Sequence, residues 1–207
     1  PNVAPGHSDG LTANCLGRWS GYPPILKFSP EGEFLAGFGT GLVGRPHGFN
    51  VDHEGNMWIT DVALIPEEMG GVVHKLNPSG DLVMTLGQPG VVGQDRETFN
   101  RPASVAIAEN GDIFVADGEG PNNRIVKFAS DGTYLMEWGN TGSGPGEFST
   151  PHDLESIPRD GCLSVIVATV VSRSSNQMVL TWTNGLTSVA PAESSSIGQP
   201  IRFMPLT

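Results

Sequence analysis

Apolar and polar residues alternate along this chain in short runs broken by glycine, proline and asparagine, and the runs return in the same order. From Pro46 the text reads His47-Gly48-Phe49-Asn50-Val51-Asp52, turns at Glu54-Gly55, and resumes as Met57-Trp58-Ile59-Thr60-Asp61. Apolar residues at every second position predict two strands, and the glycine between them accepts the positive φ of a tight hairpin turn. Pro102-Ala103-Ser104-Val105-Ala106-Ile107 begins the same unit again, passing through Asn110-Gly111 to Ile113-Phe114-Val115-Ala116-Asp117. Pro151-His152-Asp153-Leu154 begins it a third time before Asp160-Gly161. Proline fits at the first residue of a strand, where it fixes φ and no ladder donor is needed. After each aspartate comes a loop and a third strand, Val72 to Leu76 or Arg124 to Phe128. Turns at Pro78-Ser79-Gly80-Asp81 and Ser130-Asp131-Gly132 lead to a fourth, Leu82 to Leu86 or Tyr134 to Trp138.

A repeat of about fifty residues made of four short strands predicts an all-β fold, a β-propeller of four-stranded antiparallel blades. The set of blades is expected to be incomplete and unclosed. Residues 1–22 read as loop and 23–161 as blades, of which Pro24 to Gly39 supply only the last two strands of one. A long insert, Val62 to Gly71, separates the second and third strands of the first complete unit. Connections of this kind lie on a rim and tolerate insertion.

Composition narrows the picture. With 28 glycines and 17 prolines in 207 residues, many short strands and turns fit and long helices do not. A net charge of −11 argues against a nucleic-acid partner, whose phosphates need a basic face. No apolar run approaches membrane-spanning length. Cys15 and Cys162 are far apart in sequence and make a weak case for a disulfide.

The run Pro46-His47-Gly48, then Asp52, Gly55-Asn56 and Trp58-Ile59-Thr60-Asp61-Val62-Ala63-Leu64, resembles an NHL-repeat propeller, and within it the peptidyl-α-hydroxyglycine α-amidating lyase branch. Asn123-Arg124-Ile125 stands where that repeat has its Asn-His-Leu triplet, and the resemblance covers roughly Pro24 to Gly161. It implies a six-bladed parent, a metal-dependent C–N cleavage releasing an amide and glyoxylate, and a secreted or periplasmic setting. His47 and His152 hold the same place in their units, with Ala103 between them, so equivalent positions of alternate blades converge on the central channel. Neutral imidazole suits Zn²⁺, and three protein ligands plus water is the open arrangement for catalysis. The third ligand is expected beyond the end of this chain. The resemblance makes His47 and His152 zinc ligands and the Phe49 carbonyl a ligand of a structural Ca²⁺. Against it, Glu119 stands in the family tyrosine's place within Asp117-Gly118-Glu119-Gly120, and the cysteine that follows in the family, with its disulfide, is absent. The catalytic group is therefore unassigned. Two readings stay open: a zinc-dependent lyase acting on a small or peptide-derived substrate, and a non-catalytic propeller scaffold binding a protein or small ligand.

The remaining polar residues have structural readings. Asp52, Asp61 and Asp117 recur at strand ends as turn caps, Trp58 and Trp138 pack between blades, and His53 and His74 lie on solvated surfaces.

From Cys162 the pattern stops, and residues 162–207 read as an out-of-frame tail. Codons permitted by the residues after Gly161, shifted by one base, spell LFVGDRGNRRIQIFKPDGTYLDEW, the missing remainder of the blade, with the Asp-Arg of the family's active-site arginine. Some letters are forced: Met178-Val179 must give Gly, and Trp182-Thr183 must give Asp. Sequencing the coding DNA across Gly161 should show synonymous codons compatible with this second frame, and codons that forbid it overturn the reading.

Overall fold

The alternating runs form strands wherever a β-branched or aromatic side chain can be stacked against a neighbouring sheet. The computed structural model describes residues 22–63, 69–144, 146–159, 162–169 and 180–182, with side chains up to residue 155. Among these there is no helix, and so none long and apolar enough to cross a membrane. Strands β1 (Ile25–Phe28) and β2 (Phe34–Phe38) form an antiparallel pair. The first four-stranded antiparallel sheet follows in chain order as β3 (Pro46–Val51), β4 (Met57–Asp61), β5 (Val72–Leu76) and β6 (Leu82–Leu86). The second is β7 (Pro102–Ile107), β8 (Ile113–Asp117), β9 (Arg124–Phe128) and β10 (Tyr134–Trp138). A short parallel pair, β11 (Asn140–Thr141) and β12 (Glu147–Phe148), leads into a third sheet of β13 (Pro151–Arg159), β14 (Cys162–Thr169) and β15 (Leu180–Trp182). The first strands of successive sheets pack together, β3 on β7 and β7 on β13, and the described sheets form an open propeller-type set.

Three apolar cores lie between the layers. Ile25, Val43, Met57, Ile59 and Leu76 fill the gap between the β1–β2 pair and the first sheet. Trp58, Val73 and Leu86 meet Val105, Ile113, Val115, Val126 and Phe128 between the first and second sheets. On the other face of the second sheet, Ala106, Phe114, Ala116 and Ile125 meet Phe148 and Leu154, with Trp138 edge-on to Phe114. Neighbouring residues of β8 thus serve opposite cores, and every residue of β8 and β9 is buried. The outermost strands keep apolar residues in solvent, among them Leu82, Val83, Leu135 and Met136.

Aspartates close the strand ends as their recurrence predicts. Asp52 accepts hydrogen bonds from the Glu54 and Asn56 amides, the Asn56 side chain and Trp58 Nε1. Burial pushes the Asp52 carboxyl up, but these bonds outweigh it and hold it below the ordinary value. Asp61 takes the amides of Gly44, Arg45 and Ala63, and Asp117 takes the Asn100 amide, Asn122 Nδ2 and Arg124 Nε. For Asp117 burial is the largest influence and raises the carboxyl, opposed by these donors.

In the first two sheets the opening proline faces that aspartate, Pro46 opposite Asp61 and Pro102 opposite Asp117; in the third, Pro151 faces Thr169. The run beginning at Cys162 pairs with β13 all the same, because its valines and isoleucine suit a strand whatever unit they belong to. His7, Cys15, Glu67 and Glu68 lie outside the described residues, and the Cys162 side chain is not described.

His74 departs from expectation. His74 shares the face of β5 with Leu76, which packs in the core toward β1 and β2, and it meets the Leu42 backbone; it is 4% exposed, with Nδ1 2.9 Å from Thr85 Oγ1. Burial lowers its proton affinity below the ordinary 6.5, partly offset by Asp61 and a backbone hydrogen bond with Leu42. The unfolded chain takes up this proton at the ordinary value and the folded chain only below it, so acid favours unfolding between the two. Stability should therefore be full above pH 6.5 and fall as pH drops through the lowered folded value. Thermal melts of a His74→Gln variant should show a shallower acid loss than the parent, and equal slopes would remove His74 as the cause.

Candidate metal centre

Each first strand opens with a proline, and each carries a register shift just after it: between Pro46 and Phe49 in β3, Pro102 and Ser104 in β7, and Pro151 and Asp153 in β13. A bulge of this kind re-aims a side chain, and the residues at the shifts are His47, Ala103 and His152. Ala103 is buried between the two histidine-bearing strands. Glycines make the approach close enough. A Cβ on Gly48 would stand 2.5 Å from the Ala103 carbonyl oxygen and 2.8 Å from Ser104 Cα; one on Gly118 would overlap the Pro151 carbonyl oxygen. Ser104 Oγ ties the strands further, donating to Asp153 Oδ1 at 3.2 Å and accepting the Leu154 amide at 3.2 Å.

The third member of the site comes from the loop after β8. Arg124 anchors that loop by using all five of its donors: Nε to Asp117, Nη1 to Glu137 and the Gln94 carbonyl, and Nη2 to the carbonyls of Asp95 and Thr98. Two residues beyond Asp117, the Glu119 amide donates to the Arg101 carbonyl at 3.2 Å. The Glu119 side chain then meets both histidines. Its Oε1 lies 2.8 Å from His152 Nε2 and 3.6 Å from His47 Nε2, and the two imidazoles stand edge to face with centroids 4.9 Å apart.

His47 Nδ1 lies 2.8 Å from the Ala103 carbonyl oxygen, which can only accept, so the proton of the neutral ring sits on Nδ1. Its Nε2 lone pair consequently faces a carboxylate oxygen. Two electron-rich atoms in that arrangement call for something positive between them, a proton or a metal ion. The same Nδ1–H to carbonyl bond is the outer support that metal-bound histidines usually have.

The donor set fits a divalent ion. One ligand atom from each of His47, Glu119 and His152 lies within 4.8 Å of the others, and among the described residues this is the group of His, Cys, Asp and Glu so gathered. Bonds of about 2.0–2.2 Å in a tetrahedron put ligand atoms roughly 3.3 Å apart, near the spacings here. Side-chain exposures of 23%, 27% and 38% for His47, Glu119 and His152 leave room for water or substrate.

The two histidines read from the sequence thus come together. Glu119 does not appear as a ligand in that reading, where its replacement of a tyrosine counts as a loss. The signal was its place just after the Asp-Gly that closes β8, at the mouth that the histidines share. Phe49 lies on β3 opposite Ile59 with its ring half exposed, and no cluster of ligating side chains gathers at it among the described residues.

Residues 99–128 match the family model of the NHL repeat, so the second four-stranded sheet of this propeller-type set carries an NHL repeat. It is 33% identical over 201 residues to NHL repeat-containing protein 3 of Mus musculus, covering 91% of this chain and 54% of that protein. It is 39% identical over 143 residues to peptidyl-glycine alpha-amidating monooxygenase of Mus musculus, 65% of this chain and 14% of the other. With peptidyl-alpha-hydroxyglycine alpha-amidating lyase 1 of Drosophila melanogaster it shares 38% over 146 residues, 65% of this chain and 26% of the other. The chain therefore spans about half the length of the first of these relatives and less of the other two. An alignment covering 91% of the chain extends past Gly161, so the frame of the tail rests on its coding DNA.

Because Gly118 allows the Glu119 loop to pass the start of β13, Gly118→Ala should separate Glu119 from His152. The expected outcome is a metal affinity lowered by about 10–100-fold, as for other losses just outside the ligand set. Isothermal titration with zinc measures it, and an unchanged affinity contradicts the role given to this contact.

Proposed function

We propose that this protein holds a zinc ion through His47 Nε2, Glu119 and His152 Nε2 and uses the site as a lyase of the α-hydroxyglycine amidating type. The observation that carries the reading is the meeting of the three side chains, whose ligand atoms lie within 4.8 Å of one another. Similarity to amidating proteins at 38–39% identity supports the choice of reaction.

Zinc in such a site supplies Lewis acidity toward a hydroxyl or carbonyl oxygen. The rest of the chemistry belongs to side chains. In an N-acyl α-hydroxyglycine, the hydroxyl proton must leave, the C–N bond must break with its electron pair going to nitrogen, and the carbon–oxygen double bond of glyoxylate must form. Glu119 Oε2 makes no hydrogen bond or ion pair among the described residues, which leaves it free to take the hydroxyl proton and return it to the departing amide nitrogen. His47 stays oriented by the Ala103 carbonyl at its Nδ1, which leaves Nε2 for the metal. A carboxylate thereby takes over the position at which the resembling family has a tyrosine. The structural Ca²⁺ at the Phe49 carbonyl remains part of the proposal on resemblance alone.

A second reading is favoured by the mutual pairing of Glu119 with both histidines, which satisfies the three groups when the imidazoles are protonated. In that reading the propeller is a scaffold, and its rim loops bind a protein or small ligand.

Elemental analysis and zinc titration separate the two. The lyase reading expects about one zinc per chain, lost on His47→Ala or Glu119→Gln by more than the 10–100-fold typical of outer-partner losses. Binding should weaken in acid, because protons compete for the imidazoles. N-benzoyl-α-hydroxyglycine should yield benzamide and glyoxylate, with turnover abolished by a chelator and restored by zinc. A protein that neither binds zinc nor changes on Glu119→Gln is a scaffold.

A further inference from the structure

The chain has 22 acidic residues and 11 basic ones, so a cation that is not fully exposed has carboxylates to choose from. Lys75 meets Asp52 at 3.9 Å, Lys127 meets Asp112 at 2.6 Å, and Arg124 meets Asp117 and Glu137. Arg101 is different. It is part-buried, no carboxylate pairs with it among the described residues, and its Nε is closed to solvent with no hydrogen-bond partner. That nitrogen has lost hydration without gaining an acceptor, and an unsatisfied buried donor in a native structure calls for a use.

Its place in the chain indicates the use. Arg101 stands immediately before Pro102-Ala103, with a left-handed φ of 62°, a conformation that residues with a Cβ seldom adopt. Its carbonyl accepts the Glu119 amide, and two residues on the Ala103 carbonyl receives His47 Nδ1. The backbone of Arg101 is therefore bonded directly to the loop that carries the metal-site carboxylate. Arg45 holds the equivalent position before Pro46-His47 in the first sheet; its amide is pinned to Asp61 at 2.8 Å, its side chain is exposed, and it too lacks a carboxylate partner among the described residues. Two consecutive sheets thus set an arginine with no carboxylate partner among the described residues at the position before the opening proline, and the backbone of Arg101 is bonded to the loop that carries Glu119.

We propose that Arg101, assisted by Arg45, is an anion-recognition site that takes the carboxylate of the substrate at the edge of the His47–Glu119–His152 group. The ligand class is an N-acylated amino or hydroxy acid with a free carboxylate. The inference rests on the lyase reading for the identity of the substrate, but the guanidinium pair does not depend on the metal. A planar guanidinium fork matches a carboxylate with two parallel hydrogen bonds, which a lysine cannot reproduce. In a protein of net charge −11 the overall field repels anions, so the attraction has to be local.

Titration of the full 207-residue chain with N-benzoylglycine and with its neutral analogue N-benzoylglycinamide, each with and without zinc, tests this. The carboxylate should bind more tightly than the amide. Arg101→Gln should weaken the carboxylate by about 10–100-fold, the loss of one charge-assisted fork, and leave the amide and the zinc affinity unchanged. Arg101→Lys should fall between, and Arg45→Gln, on an exposed side chain, should give a smaller loss with an unaltered melting temperature. Equal binding of carboxylate and amide, or an Arg101→Gln variant that is folded by circular dichroism and binds as the parent does, overturns the proposal. If Arg101→Gln does not fold, unchanged carboxylate binding in both Arg101→Lys and Arg45→Gln overturns it. Zinc binding that is absent in the parent, with the carboxylate preference present and lost in Arg101→Gln, removes the metal reading and sustains the anion site.

Discussion

The close passage of the first strands of successive sheets is the constraint on which the rest of this structure depends. β3 lies close on β7 at Gly48, where a Cβ would stand 2.5 Å from the Ala103 carbonyl oxygen, β13 packs on the other side of β7, and Gly118 just after β8 leaves room for the start of β13. Their bulges fall at the same place in each sheet, and that regularity turns histidines from the first and third sheets toward a common point. The same spacing brings the broad faces of the sheets together, so that Trp58 can fill the space against Val105 and Phe128. Site and core are thus two results of one packing distance.

A buried ion network carries that order to the loop that holds Glu119. Arg124 occupies a position in the repeat triplet where its whole donor set can be used, and it fixes Asp117, which also holds the Asn100 amide. Glu119 is two residues further on and inherits the placement. Removing one partner from a buried pair of this kind costs about 3–5 kcal/mol, because the other is left charged and alone. The outer part of the second sheet therefore fixes a side chain at the channel, and the substitution of a glutamate for a tyrosine does not simply delete chemistry. It exchanges a phenol for a carboxylate that stands against two imidazoles.

Much of the fold was legible in the residues. The ten strands from β1 to β10 lie where the alternation and turns put them, the aspartates close strand ends, and Trp58 and Trp138 pack between sheets. These features depend on residues two to six positions apart, which is the range over which a strand, hairpin or cap is formed. The convergence of His47 and His152 was also legible, because a repeat turns equal positions in sequence into equivalent positions in space. The burial of His74 was not, since the residues that cover it belong to a different layer; the run from Cys162 pairs with β13 as second strands pair with first strands in the other sheets, although the letters of the repeat stop there.

By itself, then, the sequence determined the strands, their turns, the antiparallel four-strand unit and two of the three side chains in the candidate centre, each through a local pattern or a repeat of it. The tertiary structure alone decided that Glu119 completes the group and that Arg101, whose carbonyl accepts the Glu119 amide, has no carboxylate partner among the described residues. Both outcomes come from stacking sheets whose contacts join residues 47, 103, 119 and 152 across long separations. Whether a glutamate in a loop faces solvent or two imidazoles is settled by how closely those sheets approach, and no pattern within the loop records that distance.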